Sequence, residues 1–137
     1  MPVKLRGVGI DLVSVERARK LLQDHRSKVF QRLLTSSERK KFRARGLSPK
    51  VFAKWFAAKE AFFKAVGDSW MGLEGFGAIE IKGFARDRFQ VQSHSLIGRS
   101  WKKAEGRFFE TKEFVGAQVV VLQEETTSRR RLKWKQA

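Results

Sequence analysis

Two carboxylates and two lysines, on two separate stretches of the chain, are the residues best suited to chemistry. Asp11 ends the run Gly7-Val8-Gly9-Ile10-Asp11, and far downstream Lys59, Glu60 and Lys64 sit inside Trp55-Phe56-Ala57-Ala58-Lys59-Glu60-Ala61-Phe62-Phe63-Lys64. A hard cation working on a phosphate substrate is typically held by one or two carboxylates plus the phosphate oxygens. Asp11 and Glu60 are a candidate pair of that kind. Lys59 and Lys64 would neutralise phosphate charge in the transition state. Other chemistries fall away. The chain contains no Gly-x-x-x-x-Gly-Lys-Ser/Thr, no Gly-x-Gly-x-x-Gly and no cysteine. With only His25 and His94, a multi-histidine metal site is out of reach. His94, between Ser93 and Ser95, reads as a polar side chain and not as half of a nucleophile–base pair.

These residues need a helix and a strand to hold them. Ser48 is a good N-cap, Pro49 suits the first helical position, and Gly67 sits where a left-handed C-cap is wanted. Between them Val51, Phe52, Trp55, Phe56, Phe62, Phe63 and Val66 fall on one broad arc, a core face. Glu60 and Lys64 are one helical turn apart, at the side of that arc. Lys59 lies near its middle. Two readings of Lys59 stay open: an ammonium that snorkels to water or pairs on a solvated face, or a cation at the rim of a pocket. Asp11 belongs to a strand over residues 3–13. Val8, Ile10 and Leu12 share one face; Gly7, Gly9 and Asp11 share the other. The two glycines leave bare backbone beside Asp11, which predicts close approach of another group.

Around these two elements the chain is read as follows. Ser14 caps a helix to about residue 23, with Val15, Ala18, Leu21 and Leu22 inward and Arg17, Arg19 and Lys20 outward. Residues 24–28 are a polar loop, and 29–34 a short helical piece. Thr35-Ser36-Ser37-Glu38 is a capping box that opens a strongly basic helix to about residue 45. Residues 67–77 are glycine-rich, with Trp70 and Met71 inside, and read as a lid or ordered loop. The period then changes to two: strands over 78–82 and 88–92, a short helix over 96–103, and strands at 108–109 and 114–122. The apolar run Val119-Val120-Val121-Leu122 predicts a central strand covered on both faces. No internal repeat is visible. Strand, then helices, then strands makes the class α+β.

The 137 residues suit one domain, expected over 1–125, with a mobile basic tail over 126–137. Nothing approaches the ~20 apolar residues of a membrane helix. The first residues show no secretory h-region, and the absence of cysteine fits a reducing cytoplasm, so a cytoplasmic place is expected. Thirty basic residues against 14 acidic give +16. Only five of those cations lie in the tail, so the body is basic too. Such a charge suits nucleic acid, an anionic membrane face, a polyphosphate ligand or an acidic protein. Trp134 amid the basic tail favours nucleic acid, but no nucleic-acid motif accompanies it, so that reading ranks last.

Gly9-Ile10-Asp11 followed downstream by Phe56-Ala57-Ala58-Lys59-Glu60-Ala61-Phe62-Phe63-Lys64-Ala65 resembles the two-motif signature of the 4'-phosphopantetheinyl transferases, and among them the small bacterial holo-acyl-carrier-protein synthases. Leu33-Leu34-Thr35-Ser36-Ser37-Glu38, Ile79-Glu80-Ile81 and Thr111-Lys112-Glu113-Phe114-Val115-Gly116-Ala117-Gln118-Val119-Val120 resemble further family segments, so the likeness covers residues 5–123. It implies a small antiparallel sheet wrapped around one long central helix. It implies transfer of the phosphopantetheine arm of coenzyme A to a serine of an acyl carrier protein, with release of 3',5'-ADP, in fatty acid and lipid biosynthesis. By the same resemblance Asp11 and Glu60 would bind Mg2+, Glu60 would accept the serine proton directly or through water, and Lys64 would contact the pyrophosphate with help from Lys59. Phe56, Gly67 and Thr111 would line the coenzyme site, and Arg43, Arg45 and Lys50 would take the 3'-phosphate. An acidic acyl carrier protein would dock on Arg17, Lys28 and Arg32, which gives the net charge a partner without nucleic acid or membrane. A homotrimer with sites between subunits is implied.

The chain departs from the family in three places. Arg107-Phe108-Phe109-Glu110 stands where a Ser-x-Ser/Thr-His motif is usual, so Glu110 replaces the histidine. Trp55 stands where an arginine is usual, and a Gly-Lys-Pro turn is replaced by residues 84–88. These changes motivate a second reading, a catalytically impaired homologue that only binds carrier protein or coenzyme A.

Overall fold

A computed structural model describes residues 2–67, 75–83, 86–93 and 101–125. The order is β1 (Val3–Ser14), α1 (Val15–Leu33), α2 (Ser36–Ala44), α3 (Pro49–Val66), β2 (Ile79–Gly83), β3 (Arg88–Ser93), β4 (Lys103–Glu110) and β5 (Phe114–Glu124). The strands form one antiparallel sheet in the order β1-β5-β4-β3-β2. The expected α+β class and the sheet around a long helix are what the structure has. The expected loop with Trp70 and Met71, His94 and the tail 126–137 lie outside the described residues.

Helix α3 begins and ends as its sequence dictates. The Ser48 hydroxyl accepts from the Val51 N–H, Pro49 occupies the first turn, and Gly67 closes the helix at φ 78°. The Gly67 N–H donates to the Phe63 carbonyl. Burial differs from the arc read from sequence: Val51 and Phe56 are only partly buried, while Ala53, Ala57, Ala58, Ala61 and Ala65 are buried along with Phe52, Trp55, Phe62, Phe63 and Val66. The alanines explain why. Ala61 and Ala65 let α3 press its backbone onto β1, where Gly7 and Gly9 receive it. A Cβ on Gly9 would stand 2.8 Å from the Ala61 carbonyl carbon and 2.9 Å from the Ala65 nitrogen; one on Gly7 would stand 3.0 Å from the Ala65 carbonyl carbon. The close approach expected beside Asp11 is therefore that of the central helix.

The inner sheet face lies on α3 and carries Val115, Ala117, Val119 and Val121 of β5 with Ala104, Phe89, Val91, Ile79 and Ile81, all buried. The apolar run in β5 needs a correction. The strand is central, between β1 and β4, but it is not covered on both faces, because Val120 is 37% exposed between fully buried Val119 and Val121. Val8, Ile10 and Leu12 share that outer face and are 51%, 59% and 60% exposed.

Two further corrections concern element bounds. The polar stretch 24–28 is not a loop; α1 runs through it, with only His25 leaving helical geometry, at φ −136° and ψ 32°. The two helical pieces thus join across a one-residue kink. Of the short helix expected over 96–103, residues 96–100 lie outside the description. Lys103 opens β4, and the Lys102 N–H donates to the Leu122 carbonyl at 2.7 Å, so pairing with β5 takes this stretch into the sheet. The capping box is present as expected: Thr35 Oγ1 accepts from the Glu38 N–H, and Glu38 Oε1 accepts from the Thr35 N–H. Among the described residues no helix is long and apolar enough to cross a membrane.

Candidate active site

The end of β1, one side of α1 that includes the exposed Arg17 and Lys20, and the middle of α3 border an open cavity of about 660 Å3. Asp11 and Glu60 both line it, with Phe52 and Phe56 as apolar wall and Arg17, Asp24 and His25 from α1. The two carboxylates separated in sequence thus meet. Asp11 arrives there because the sheet face it shares with Gly7 and Gly9 is the one against α3. Glu60 arrives because it lies at the edge of the buried arc, half-buried where its neighbours are fully covered. A larger groove of about 740 Å3 lies on β3–β5, around Arg88 and Arg107, and holds none of the expected site residues.

Lys64 Nζ donates to Asp11 Oδ1 at 2.9 Å and to the Ile10 carbonyl at 3.3 Å. Its side chain is 53% exposed, while that of Asp11 is 16% exposed. Burial, and after it the charge of Asp11, raises the Glu60 carboxyl above its ordinary range; Lys64 offsets part of this. Two acids that repel each other this way, beside an exposed ammonium, form a pair of hard oxygen donors suited to a divalent cation brought in with phosphate. Among the described residues no group of three or more histidine, cysteine or acidic side chains could hold a metal. A cation here would therefore need phosphate or water oxygens to complete its shell, which is the usual way of Mg2+.

Lys59 is the clearest correction. It stands neither at a pocket rim nor on a solvated face: its side chain is 1% exposed. The ammonium donates to Glu38 Oε1 at 2.6 Å, to the Leu33 carbonyl at 2.6 Å and to the Phe76 carbonyl at 2.8 Å. All three of its protons are thus engaged, and none is left for a phosphate. Burial draws the ammonium below the usual lysine range, and Glu38 offsets part of that. Glu38 accepts from the Ile81 N–H through its other oxygen, and Thr35 Oγ1 donates to Glu80 Oε1. Sequence reading took Glu38 only as a cap and missed this buried network. The signal was Lys59 itself, an ammonium inside an apolar arc.

The other expected contacts are spread more widely. Phe56 lines the cavity and meets Phe76 edge-on at 5.6 Å. Gly67 is exposed at the end of α3. Lys50 and Lys54 both reach Glu110, at 3.2 and 3.5 Å, and lower its carboxyl pKa, chiefly through the Lys50 hydrogen bond. Lys54 also lies over the Phe108 ring. Thr111 Oγ1 accepts from the N–H groups of Glu113 and Phe114, which shapes the β4–β5 turn. Within one chain, Lys50, Glu110 and Thr111 do not line the Asp11–Glu60 cavity. Trp55, at the family's arginine position, is a core residue, edge-on to Phe42. Arg17, Lys28, Arg32, Arg43 and Arg45 are exposed along α1 and α2, and Arg43 lies over the Phe30 ring.

Comparison with known proteins gives consistent relatives. A holo-acyl-carrier-protein synthase of Desulforudis audaxviator is 44% identical over 66 residues, which are 48% of this chain and 50% of that protein. One from Azoarcus is 43% identical over 63 residues, 46% and 50% of the two chains. The chain thus spans about half the length of the curated relatives it matches. Among solved structures, a holo-(acyl-carrier-protein) synthase from Bacillus anthracis in complex with CoA (3',5'-ADP) has TM-score 0.69 at 31% identity, covering 88% of this chain and 98% of that one. The Neisseria meningitidis synthase has TM-score 0.76 at 29% identity, covering 89% and 100%. A family model matches residues 7–121, a span that contains Asp11, Glu60 and Lys64. The chain belongs to the 4'-phosphopantetheinyl transferase superfamily.

Proposed function

We propose that residues 1–125 are a holo-acyl-carrier-protein synthase domain, which moves the phosphopantetheine arm of coenzyme A to a serine of an apo acyl carrier protein. The observation that supports it most is the meeting of Asp11 and Glu60 at one cavity, with Lys64 bonded to Asp11, in a chain of this family. Mg2+, held by Asp11 and Glu60, would supply charge neutralisation at the pyrophosphate. Glu60 takes the serine proton; its raised pKa brings it nearer the range a general base needs. The serine oxygen forms a bond to the phosphorus that carries the pantetheine arm. The bond from that phosphorus to the bridging oxygen breaks, and 3',5'-ADP leaves. Lys64 exchanges Asp11 for the pyrophosphate, as its exposure permits. Phe52 and Phe56 keep one wall of the cavity dry.

The basic outer side of α1 and α2 gives an acidic carrier protein its docking surface, with Arg17 at the cavity mouth. The outer sheet face supports a homotrimer. Val8, Ile10, Leu12 and Val120 form an exposed apolar patch of the kind that marks an interface. In that assembly Lys50, Glu110 and Thr111 of one copy would serve the cavity of the next. A second reading, binding without transfer, is favoured by Glu110, which ties up Lys50 and Lys54 near the place the resemblance gives to coenzyme contacts.

Mass spectrometry separates the two. Apo carrier protein incubated with this protein, coenzyme A and Mg2+ should gain roughly 340 Da, the mass of one phosphopantetheine arm, and the gain should vanish with EDTA. No gain across several carrier proteins would leave the binding reading in its place.

A further inference from the structure

Lys59 is a buried cation to which the transfer chemistry gives no task. Its three anchors come from three different elements: the last turn of α1, the first turn of α2 and the segment leading into β2. On its β1 side the same helix is seated by Gly7 and Gly9 against the Ala65 and Ala61 carbonyls. A helix held at two sides in this way can neither roll nor slide. Glu60 is the next residue after Lys59, about 100° further round α3. If Lys59 is fixed in the junction of α1, α2 and β2, Glu60 has one direction left, into the cavity with Asp11.

We propose that Lys59 is a positioning residue for Glu60. Its buried ammonium, bound to Glu38 and to the Leu33 and Phe76 carbonyls, sets the rotation of α3 that presents Glu60 to Asp11. The proposal rests on the reading of Asp11 and Glu60 as the metal and proton site. It explains why a lysine stands in an apolar arc where methionine would fill similar space at lower desolvation cost. An ammonium with three aimed donors fixes an angle, whereas an apolar side chain only fills a volume.

The test compares three variants with the wild type. The double variant Lys59→Met with Glu38→Gln removes both charges of the buried pair, and the third buried charge, Glu80, keeps Lys82 and the Thr35 hydroxyl as partners. Glu38→Asp alone is a milder change that keeps both charges but shortens the reach of the anchor, and it serves if the double variant does not fold. Val121→Ala, in the core on β5, is a control for lost stability. Each is studied well below its melting temperature. Mn2+ binding is followed by electron paramagnetic resonance, transfer kinetics by carrier mass, and the place of Glu60 by crystallography. The Lys59 variant should lose about tenfold to 100-fold in Mn2+ affinity, as expected when a group that orients a metal ligand is removed. Its kcat should fall while KM for coenzyme A stays within about threefold. Glu38→Asp should show a smaller loss of the same kind, and Val121→Ala none. Wild-type Mn2+ affinity in a folded Lys59 variant, or an equal loss in Val121→Ala, would overturn the proposal. If the wild-type chain binds no Mn2+, the metal reading fails instead. The crystal structure then decides the positioning role, which is overturned if Glu60 keeps its place in the variant.

Discussion

Gly9 and Ala61 meet backbone to backbone, and that contact sets how closely the strand bearing Asp11 can approach the helix bearing Glu60. A side chain at Gly9 would enter the space of the Ala61 carbonyl group. Backbone cannot step aside as the tip of a flexible side chain can. Gly9→Ala should therefore lift α3 from β1 and cost about 1–3 kcal/mol, seen as a lower midpoint in urea unfolding. Any folded fraction should also lose transfer activity, because Asp11 and Glu60 move apart. A Gly9→Ala chain with wild-type stability and rate would show that the contact is not tight.

The Glu60 carboxyl carries opposite costs for stability and function. Burial and Asp11 raise its pKa in the fold. A raised acid holds its proton more tightly when folded. Its contribution is complete below the unfolded value and lost as pH rises through the folded one. At neutral pH the fold thus bears an ionised carboxylate it would prefer protonated, softened by solvent because the group is only half-buried. Glu60→Gln should raise the melting temperature by about 1–4 °C at pH 7, and the gain should shrink toward zero near pH 4, where the wild type is itself protonated. The same change should lower transfer by about 10²- to 10⁴-fold. For the wild type, kcat should fall on the acid side as Glu60 takes up its proton. Full activity in Glu60→Gln would remove Glu60 from both metal and proton roles.

Glu110 holds Lys50 and Lys54 on the exposed side of α3. Exposed pairs of this kind contribute about 0–1 kcal/mol, so Glu110→Gln should leave the melting temperature almost unchanged. It would leave both ammoniums without their carboxylate. If they serve the 3'-phosphate, KM for coenzyme A should fall by about two- to fivefold, the KM for dephospho-coenzyme A should not move, and added salt should erase the difference. Equal effects on both coenzymes would place the 3'-phosphate elsewhere.

Much of the site was legible because it depends on local rules. The caps Ser48 and Gly67, the Thr35–Glu38 box, the bare strand at Gly7 and Gly9 and the motif carrying Glu60 are all short-range signals. Lys59 was visible as an anomaly but not as an answer, since its partners Glu38, Leu33 and Phe76 lie 17 to 26 residues away. Polar residues 24–28 carry no helical period of their own, so the sequence suggests a loop there; buried Ala18 on one side and Val29 and Leu33 on the other keep both pieces in one helix kinked at His25. The outer face of β5 was misread for a related reason. A continuous apolar run marks a strand covered on both faces, and nothing in Val119-Val120-Val121-Leu122 says whether the second cover is a helix of the same chain or another copy.

That uncovered face makes the last prediction. Ile10 and Val8 on β1 stand beside Gln118 and Val120 on β5, so the apolar patch crosses from edge strand to central strand. Side chains this exposed contribute little to the folding of one chain. They gain only if a second surface covers them. Ile10→Arg should then leave the fold of the single chain intact while placing a charge that association would have to bury. Analytical ultracentrifugation should show the wild type as a trimer and Ile10→Arg as a monomer with the same circular dichroism. Transfer should fall with the loss of assembly if Lys50, Glu110 or Thr111 acts on the cavity of a neighbouring copy. It should persist if each chain carries its whole site, and an Ile10→Arg trimer would mean that the copies meet through some other face.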